Sequence, residues 1–246
     1  MKLIKSTALL LYRLWFYFLM FIYILILFPV LVISILKESW YPLYFNLARG
    51  WAIFILYGMG FFPVIQRETK YVKGQSYMFV SNHTSMTDIM LMLYTVKRPF
   101  VFVGKKELTK IPLFGFFYKR TCILVDRKNP KSKREVFEIA QNKIDKGFSI
   151  CIFPEGGVPE DESIMLDRFK NGAFRLAIEH KIPIAPITFH DNKKRLPYSF
   201  FNGGPGRMRV KVHNVLLTKH FSLNDKRELN KITREIILQE LKNPTL

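Results

Sequence analysis

Tyr77-Met78-Phe79-Val80-Ser81-Asn82-His83-Thr84-Ser85-Met86-Thr87-Asp88-Ile89-Met90-Leu91-Met92-Leu93 sets the frame for the whole chain. The apolar run Tyr77–Ser81 is short, β-compatible and bounded by polar residues, the pattern of a buried strand. The segment from Thr87 to Val96 carries apolar residues at helical spacing, and Thr84 or Ser85 offers a hydroxyl to cap it. His83 then lies at a strand end, with Asp88 about one turn into the next helix. That spacing lets the carboxylate hold one imidazole nitrogen while the other faces a cleft, the arrangement of a general base. By itself the segment reads equally well as a polar turn with a capping cluster.

Working outward, strand-like and helix-like segments alternate. Strands are expected at Tyr77–Ser81, Phe100–Val103, Cys122–Val125, Ser149–Phe153, Ile184–Thr188 and Met208–Val212. Helices are expected at Thr87–Val96, Ile111–Lys119, Lys131–Lys146, Gly172–His180 and Lys226–Lys242. The alternation predicts an α/β fold, a β-sheet flanked by helices, with sites gathered at the C-terminal ends of strands.

The N-terminal part is different. Leu14 to Leu36 is free of charge and histidine and long enough to cross a bilayer, with Pro29 as a kink point and Lys2, Lys5 and Arg13 before it. No small-x-small cleavage site follows, so it reads as a retained membrane helix; a helix lying within one leaflet is the alternative. Tyr41 to Phe62 is a second apolar stretch, rich in interface aromatics, and Arg49 makes a full crossing costly. We expect membrane-anchoring helices over residues 1–63 and an α/β domain over 64–246.

Of the net charge of +19, the first 62 residues carry +4, leaving +15 for the remainder. Nucleic acid, anionic lipid and an acidic substrate all fit that charge. The anchor favours the last two and puts the basic domain on the cytoplasmic face of the cell (inner) membrane. No nucleic-acid motif accompanies the basic residues, so no nucleic-acid partner is expected. Cys122 and Cys151 lie in apolar runs and read as buried free thiols. They form no disulfide framework and no zinc spacing, and no metal or cofactor is expected.

Three further segments follow strands. Asp126-Arg127 is either a surface turn or a bidentate phosphate contact. Phe153-Pro154-Glu155-Gly156-Gly157 is either a plain strand exit or a turn whose N–H groups receive an anion, with Glu155 beside them. Lys170, near the start of a helix at Phe169-Lys170-Asn171-Gly172-Ala173-Phe174, is electrostatically misplaced there without an anion, and is otherwise a solvated lysine.

In this order the segments resemble the glycerolipid acyltransferase family, of the bacterial PlsC type. The matching blocks are Asn82-His83 through Asp88; Gly104-Lys105-Lys106 with Ile111-Pro112-Leu113-Phe114-Gly115; Asp126-Arg127; Phe153-Pro154-Glu155-Gly156 with Phe169 to Phe174; and Ile182-Pro183-Ile184-Ala185-Pro186. They cover residues 74–189. The resemblance implies a glycerol-3-phosphate acyltransferase-like mixed sheet and transfer of a fatty acyl group to the sn-2 hydroxyl of 1-acylglycerol 3-phosphate, giving phosphatidic acid. It implies acyl-CoA or acyl carrier protein as donor, lysophosphatidic acid or a related lysolipid as acceptor, and membrane lipids as surroundings. His83 would be the base and Asp88 its orienter, with no acyl-enzyme and with N–H groups at the helix start as oxyanion donors. Lys105, Arg127, Glu155, Gly156 and Lys170 would hold the acceptor headgroup. Two departures stand out. Thr121 occupies a position the family usually gives to Gly. Gly157-Val158 replaces a Thr-Arg pair whose arginine is expected at the substrate phosphate, and Arg168, Lys170 or Lys105 are candidate substitutes. The other classes open to this chain are transfer to a different lysolipid and membrane-bound thioester hydrolysis. The second lacks a Gly-x-Ser-x-Gly elbow. A non-enzymatic anion binder is the third.

Overall fold

The structure is a computed structural model that describes residues 2–126, 129–159, 161 and 163–246. The chain begins with helices α1 (Lys2–Ile26), α2 (Phe28–Ser34) and α3 (Tyr41–Gly58). The long apolar run is not one helix: it breaks at Leu27, because Pro29 suits the first turn of a new helix and not the interior of an old one. Among the described residues, one helical stretch, Ile4–Ile26, is long and apolar enough to cross a membrane.

α1 and α3 form an antiparallel hairpin. Tyr12 Oη donates to Met59 O (2.7 Å), Trp15 Nε1 to Gly58 O (2.8 Å), Trp51 Nε1 to Met20 O (2.9 Å) and Tyr23 Oη to Leu47 O (3.1 Å). Gly50 and Gly58 let the helices approach; a Cβ on either would collide with Tyr23 or Leu19. The buried Arg13 leaves this hairpin to donate to the carbonyls of Pro197, Ser199 and Phe200. The outer face of α1 leaves Leu11, Leu14, Trp15, Phe18 and Leu25 exposed.

Strand β1 (Phe61–Arg67) follows, across the expected 63/64 division. Then come β2 (Met78–Ser81), α4 (Thr87–Thr95), β3 (Phe100–Lys105), α5 (Phe114–Thr121), β4 (Ile123–Val125), α6 (Pro130–Asp145) and β5 (Ser149–Ile152). The chain closes with α7 (Gly172–Glu179), β6 (Ile184–Phe189), α8 (Asn192–Arg195), β7 (Gly206–Val212) and α9 (Lys226–Lys242). The described strands form one sheet in the order β1-β7-β6-β2-β5-β3-β4. Every neighbouring pair is parallel except β6 with β7, so the sheet is mixed as expected.

Strand alternation divides the core. Phe79, Cys151, Ala185 and Ile187 face the side covered by α3 and α4. Met78, Val80, Ile150 and Ile184 face the side covered by α7 and α9. Successive strand side chains point to opposite faces, so the central strands are apolar throughout. The parallel strands β6, β2, β5 and β3 end on one edge, and Asn82, Phe153 and Lys105 sit at or just past those ends.

Candidate active site

Asn82 fixes the turn after β2. Its Nδ2 donates to Phe189 O and its Oδ1 accepts the Phe189 N–H, both at 2.9 Å, tying the end of β2 to the end of β6. The next residue, His83, is directed from this anchored point. Its ring stacks on Phe153 at 4.4 Å between centroids, and its side chain is 19% exposed.

Asp88 is fully buried, and its carboxylate is saturated. Oδ2 accepts from His83 Nδ1 (2.7 Å), Thr84 N (2.6 Å) and Ser85 N (2.9 Å); Oδ1 accepts from Asn192 Nδ2 (2.6 Å). A carboxylate only accepts, so the imidazole proton sits on Nδ1 and the Nε2 lone pair is free to take another. The contact expected between His83 and Asp88 is therefore present. Ser85 Oγ accepts the N–H of Thr87, the first residue of α4, at 3.2 Å, as expected of a capping hydroxyl, and donates to Leu196 O (2.6 Å). One local expectation changes: the N–H groups of Thr84 and Ser85, natural oxyanion donors by position, are spent on Asp88.

Glu155 is placed differently from the headgroup contact expected of it. It is buried, and Oε1 accepts the His83 N–H (2.6 Å) while Oε2 accepts the Asp167 N–H (2.8 Å). The carboxylate thus clamps the backbone of the base to the loop before α7. Burial pushes its pKa up to about 7, opposed by those two backbone hydrogen bonds. The sign follows from proton counting. Between the ordinary value of 4.5 and about 7 the folded state holds a proton that the unfolded state has lost. Stability contributed by this group therefore falls as pH rises through that window, and the ionised form is costly above it. Glu155→Gln removes that cost but sets an N–H donor against a backbone N–H. We expect turnover to fall about 100-fold through misplacement of His83. The Tm of the parent, measured against that of the variant, should drop between pH 5 and pH 8. Parallel Tm values across that range would show that Glu155 titrates normally.

Gly156 takes a positive φ of 83°, and its N–H donates back to Phe153 O (3.0 Å), closing the turn on itself. A Cβ here would collide with the Lys170 side chain, which lies against the turn. Lys170 is exposed, and its N–H donates to Pro154 O (2.9 Å). Lys105 is exposed at the end of β3. Arg127 lies outside the described residues.

His83 opens into a cavity of about 460 Å³. It is lined by apolar side chains that include Leu31, Tyr44, Trp51, Phe100 and Phe117. Thr84, Lys105, Gly157, Val158, Lys193 and Tyr198, each at least partly exposed, also line it. The departure at Gly157-Val158 is therefore in the wall of the site. Both cysteines are free, and burial pushes the Cys122 thiol up to about 12 and that of Cys151 well above its usual value. Neither is a competent thiolate nucleophile. Asn192, Lys193 and Tyr198 were not among the expected site residues. The only sequence signal for them is that they follow β6, whose end adjoins that of β2.

A sequence model of the acyltransferase family matches residues 63–190. A 1-acyl-sn-glycerol-3-phosphate acyltransferase of Escherichia coli is 28% identical over 166 residues, covering 67% of this chain and 66% of its own. That of Haemophilus influenzae is 31% identical over 52% of this chain and 53% of its own. That of Cocos nucifera is 33% identical over 45% of this chain and 36% of its own. The chain thus spans between about a third and two-thirds of the length of these relatives. The crystal structure of the 1-acyl-sn-glycerophosphate (LPA) acyltransferase PlsC from Thermotoga maritima superposes with a TM-score of 0.80 over 98% of this chain and 97% of that one, at 23% identity. The fold is shared along the whole length, hairpin included.

Proposed function

This chain belongs to the acyltransferase family, and from that premise we propose that it transfers a fatty acyl group from a thioester to the sn-2 hydroxyl of 1-acylglycerol 3-phosphate, giving phosphatidic acid. The observation that carries the reading is the Asp88–His83 pair, whose imidazole lines a largely apolar cavity. The acceptor oxygen attacks the thioester carbonyl carbon as His83 Nε2 takes its proton. The tetrahedral intermediate collapses, the C–S bond breaks, and the imidazolium returns the proton to the leaving thiolate. Asp88 stabilises the imidazolium and fixes its tautomer. The apolar lining takes acyl chain, and Lys105 is the headgroup contact. Glu155 acts through the backbone as a positioning residue, and Gly156 with Lys170 shapes the turn beneath it.

The exposed apolar side of α1 seats the protein in the membrane. Because α1 is fastened along α3, which packs on the sheet through Phe45 and Phe100, the hairpin lies within the leaflet that faces the domain. The basic domain then faces the cytoplasm. This reading assigns residues 1–63 to anchoring and 64–246 to catalysis.

One experiment tests the proposal. The protein is reconstituted in vesicles containing anionic lipid and given acyl-CoA or acyl carrier protein thioester with a set of acceptors. The protein should float with the vesicles and acylate lysophosphatidic acid. Thioester hydrolysis as fast without acceptor as with it would move the chain to the hydrolases. Turnover with a phosphate-free lysolipid but none with lysophosphatidic acid, the outcome that Gly157-Val158 would favour, would change the acceptor.

A further inference from the structure

The loop between α8 and β7 exposes aromatic side chains that the chemistry at His83 does not use. Tyr198 is 55% exposed, Phe200 40% and Phe201 55%. Phe200 and Phe201 pack edge to face at 5.3 Å between centroids. No charged residue stands between Arg195 and Arg207, whereas Lys194 and Arg207, both exposed, flank the stretch. A buried cation fastens this loop to the hairpin. Arg13 of α1 donates to the carbonyls of Pro197, Ser199, Phe200 and Asn202, and its guanidinium carbon lies 5.7 Å from the Phe200 ring centroid. A guanidinium only donates, so four carbonyls turned onto it fix the path of the loop. Leu10, Leu11 and Leu14, within one turn of Arg13, are exposed as well. The first residues of the loop reach the site: Ser85 Oγ donates to Leu196 O, and Pro197 and Tyr198 line the cavity together with His83.

We propose that Tyr198, Phe200 and Phe201 form a second membrane contact, set among anionic lipid beside α1, and that the lipid acceptor passes from the leaflet to His83 along this loop. The proposal rests on the anchoring of α1 read above and extends it to the catalytic domain. Aromatic rings clustered on one exposed loop mark an interaction surface, and such rings are favoured at the headgroup level of a bilayer. Basic residues on either side of an uncharged apolar tip add attraction to an anionic surface. The arginine settles which side of the domain this is. It holds the loop against the turn of α1 whose leucines are bare, so both enter the same leaflet. A second copy of the chain covering the rings would have to sit where the leaflet meets α1. Because Pro197 and Tyr198 also line the cavity, a lysolipid leaving the leaflet at this point meets the site without crossing water.

The test uses the full chain with vesicles of phosphatidylcholine and phosphatidylglycerol. Phe201 is the residue to change, since it does not line the cavity. Phe201→Trp reports depth. Its emission above that of the parent's three tryptophans should shift to the blue on adding vesicles, and should be quenched when the lipid is brominated on its acyl chains. Phe201→Asp removes the burial of one ring, about 10- to 100-fold in partition of the loop into lipid. KM for lysophosphatidic acid carried in the vesicles should rise by up to that factor. Turnover at saturation, Tm, flotation through α1 and KM for a short-chain, water-soluble lysophosphatidic acid should stay as in the parent. Emission from Phe201→Trp that brominated lipid leaves unquenched, while the protein floats, overturns the proposal. A KM raised equally for the soluble and the vesicle-borne acceptor overturns it too. A dimer in detergent that Phe201→Asp dissociates gives the rings to a second copy instead. A parent that does not float removes the anchoring reading and this loop with it. A parent that floats but acylates nothing removes the acyl-transfer reading, and the tryptophan measurement still decides the loop.

Discussion

Replacing His83 with alanine should lower acyl transfer by about 10²- to 10⁴-fold, the range supplied by a positioned general base. The loss should fall on turnover, because the imidazole is one of many side chains that line the cavity. The fold should survive. The side chain is partly exposed, and Asp88 keeps three of its four N–H donors, from Thr84, Ser85 and Asn192. Steady-state rates and Tm on the same preparation decide the matter: activity within tenfold of the parent at equal Tm removes His83 from proton transfer. The same assay probes the absence of a covalent intermediate. Ser85 Oγ is buried and donates to Leu196 O, and both thiols are held protonated by burial. Incubation with labelled acyl donor alone should therefore leave no label on the protein after denaturation.

How much of this could be read beforehand depends on the range of the interaction concerned. The expected strands and helices of the domain match the observed ones to within a few residues, because each buries a face set by its own local period. β1 went unread. Phe61–Arg67 follows directly on an apolar helix and so reads as its continuation, and Pro63 argues against a central strand. β1 is in fact an edge strand paired only with β7, where Pro63 is tolerated. The His83–Asp88 pair was legible because five residues across a strand–turn–helix junction bring the two side chains together. Asn192 and Lys193 were not, because Asn192 meets Asp88 across 104 residues and only the crossover from β6 brings it there. Glu155 was found for its place after a strand, yet its backbone partners at His83 and Asp167 leave no mark in the pattern of residue types.

Asp88→Asn should be nearly as damaging as loss of the base, and for a reason that the bonding around it makes specific. Oδ2 takes three N–H groups from His83 and the backbone, and Oδ1 takes one from the Asn192 amide. An asparagine NH₂ placed at Oδ2 opposes His83 Nδ1 and two backbone N–H groups. Placed at Oδ1 it meets the Asn192 amide, which must turn to present its own Oδ1 and so takes its Nδ2 into the buried position where that oxygen has no partner. The second is less unfavourable, and it leaves the histidine bonded to a neutral oxygen that no longer stabilises the imidazolium. Turnover should fall about 10³- to 10⁴-fold, the scale at which a carboxylate acts on its histidine in hydrolase triads. Tm should fall as well, because a buried donor left unmatched costs about 1–3 kcal/mol. Asn192→Leu separates the two effects. It deletes one neutral donor and leaves the charge and the histidine bond in place, so it should cost about tenfold in turnover. If Asp88→Asn lowers Tm but leaves turnover per folded molecule unchanged, Asp88 is a structural cap on α4 and the histidine is oriented by its stack on Phe153 alone.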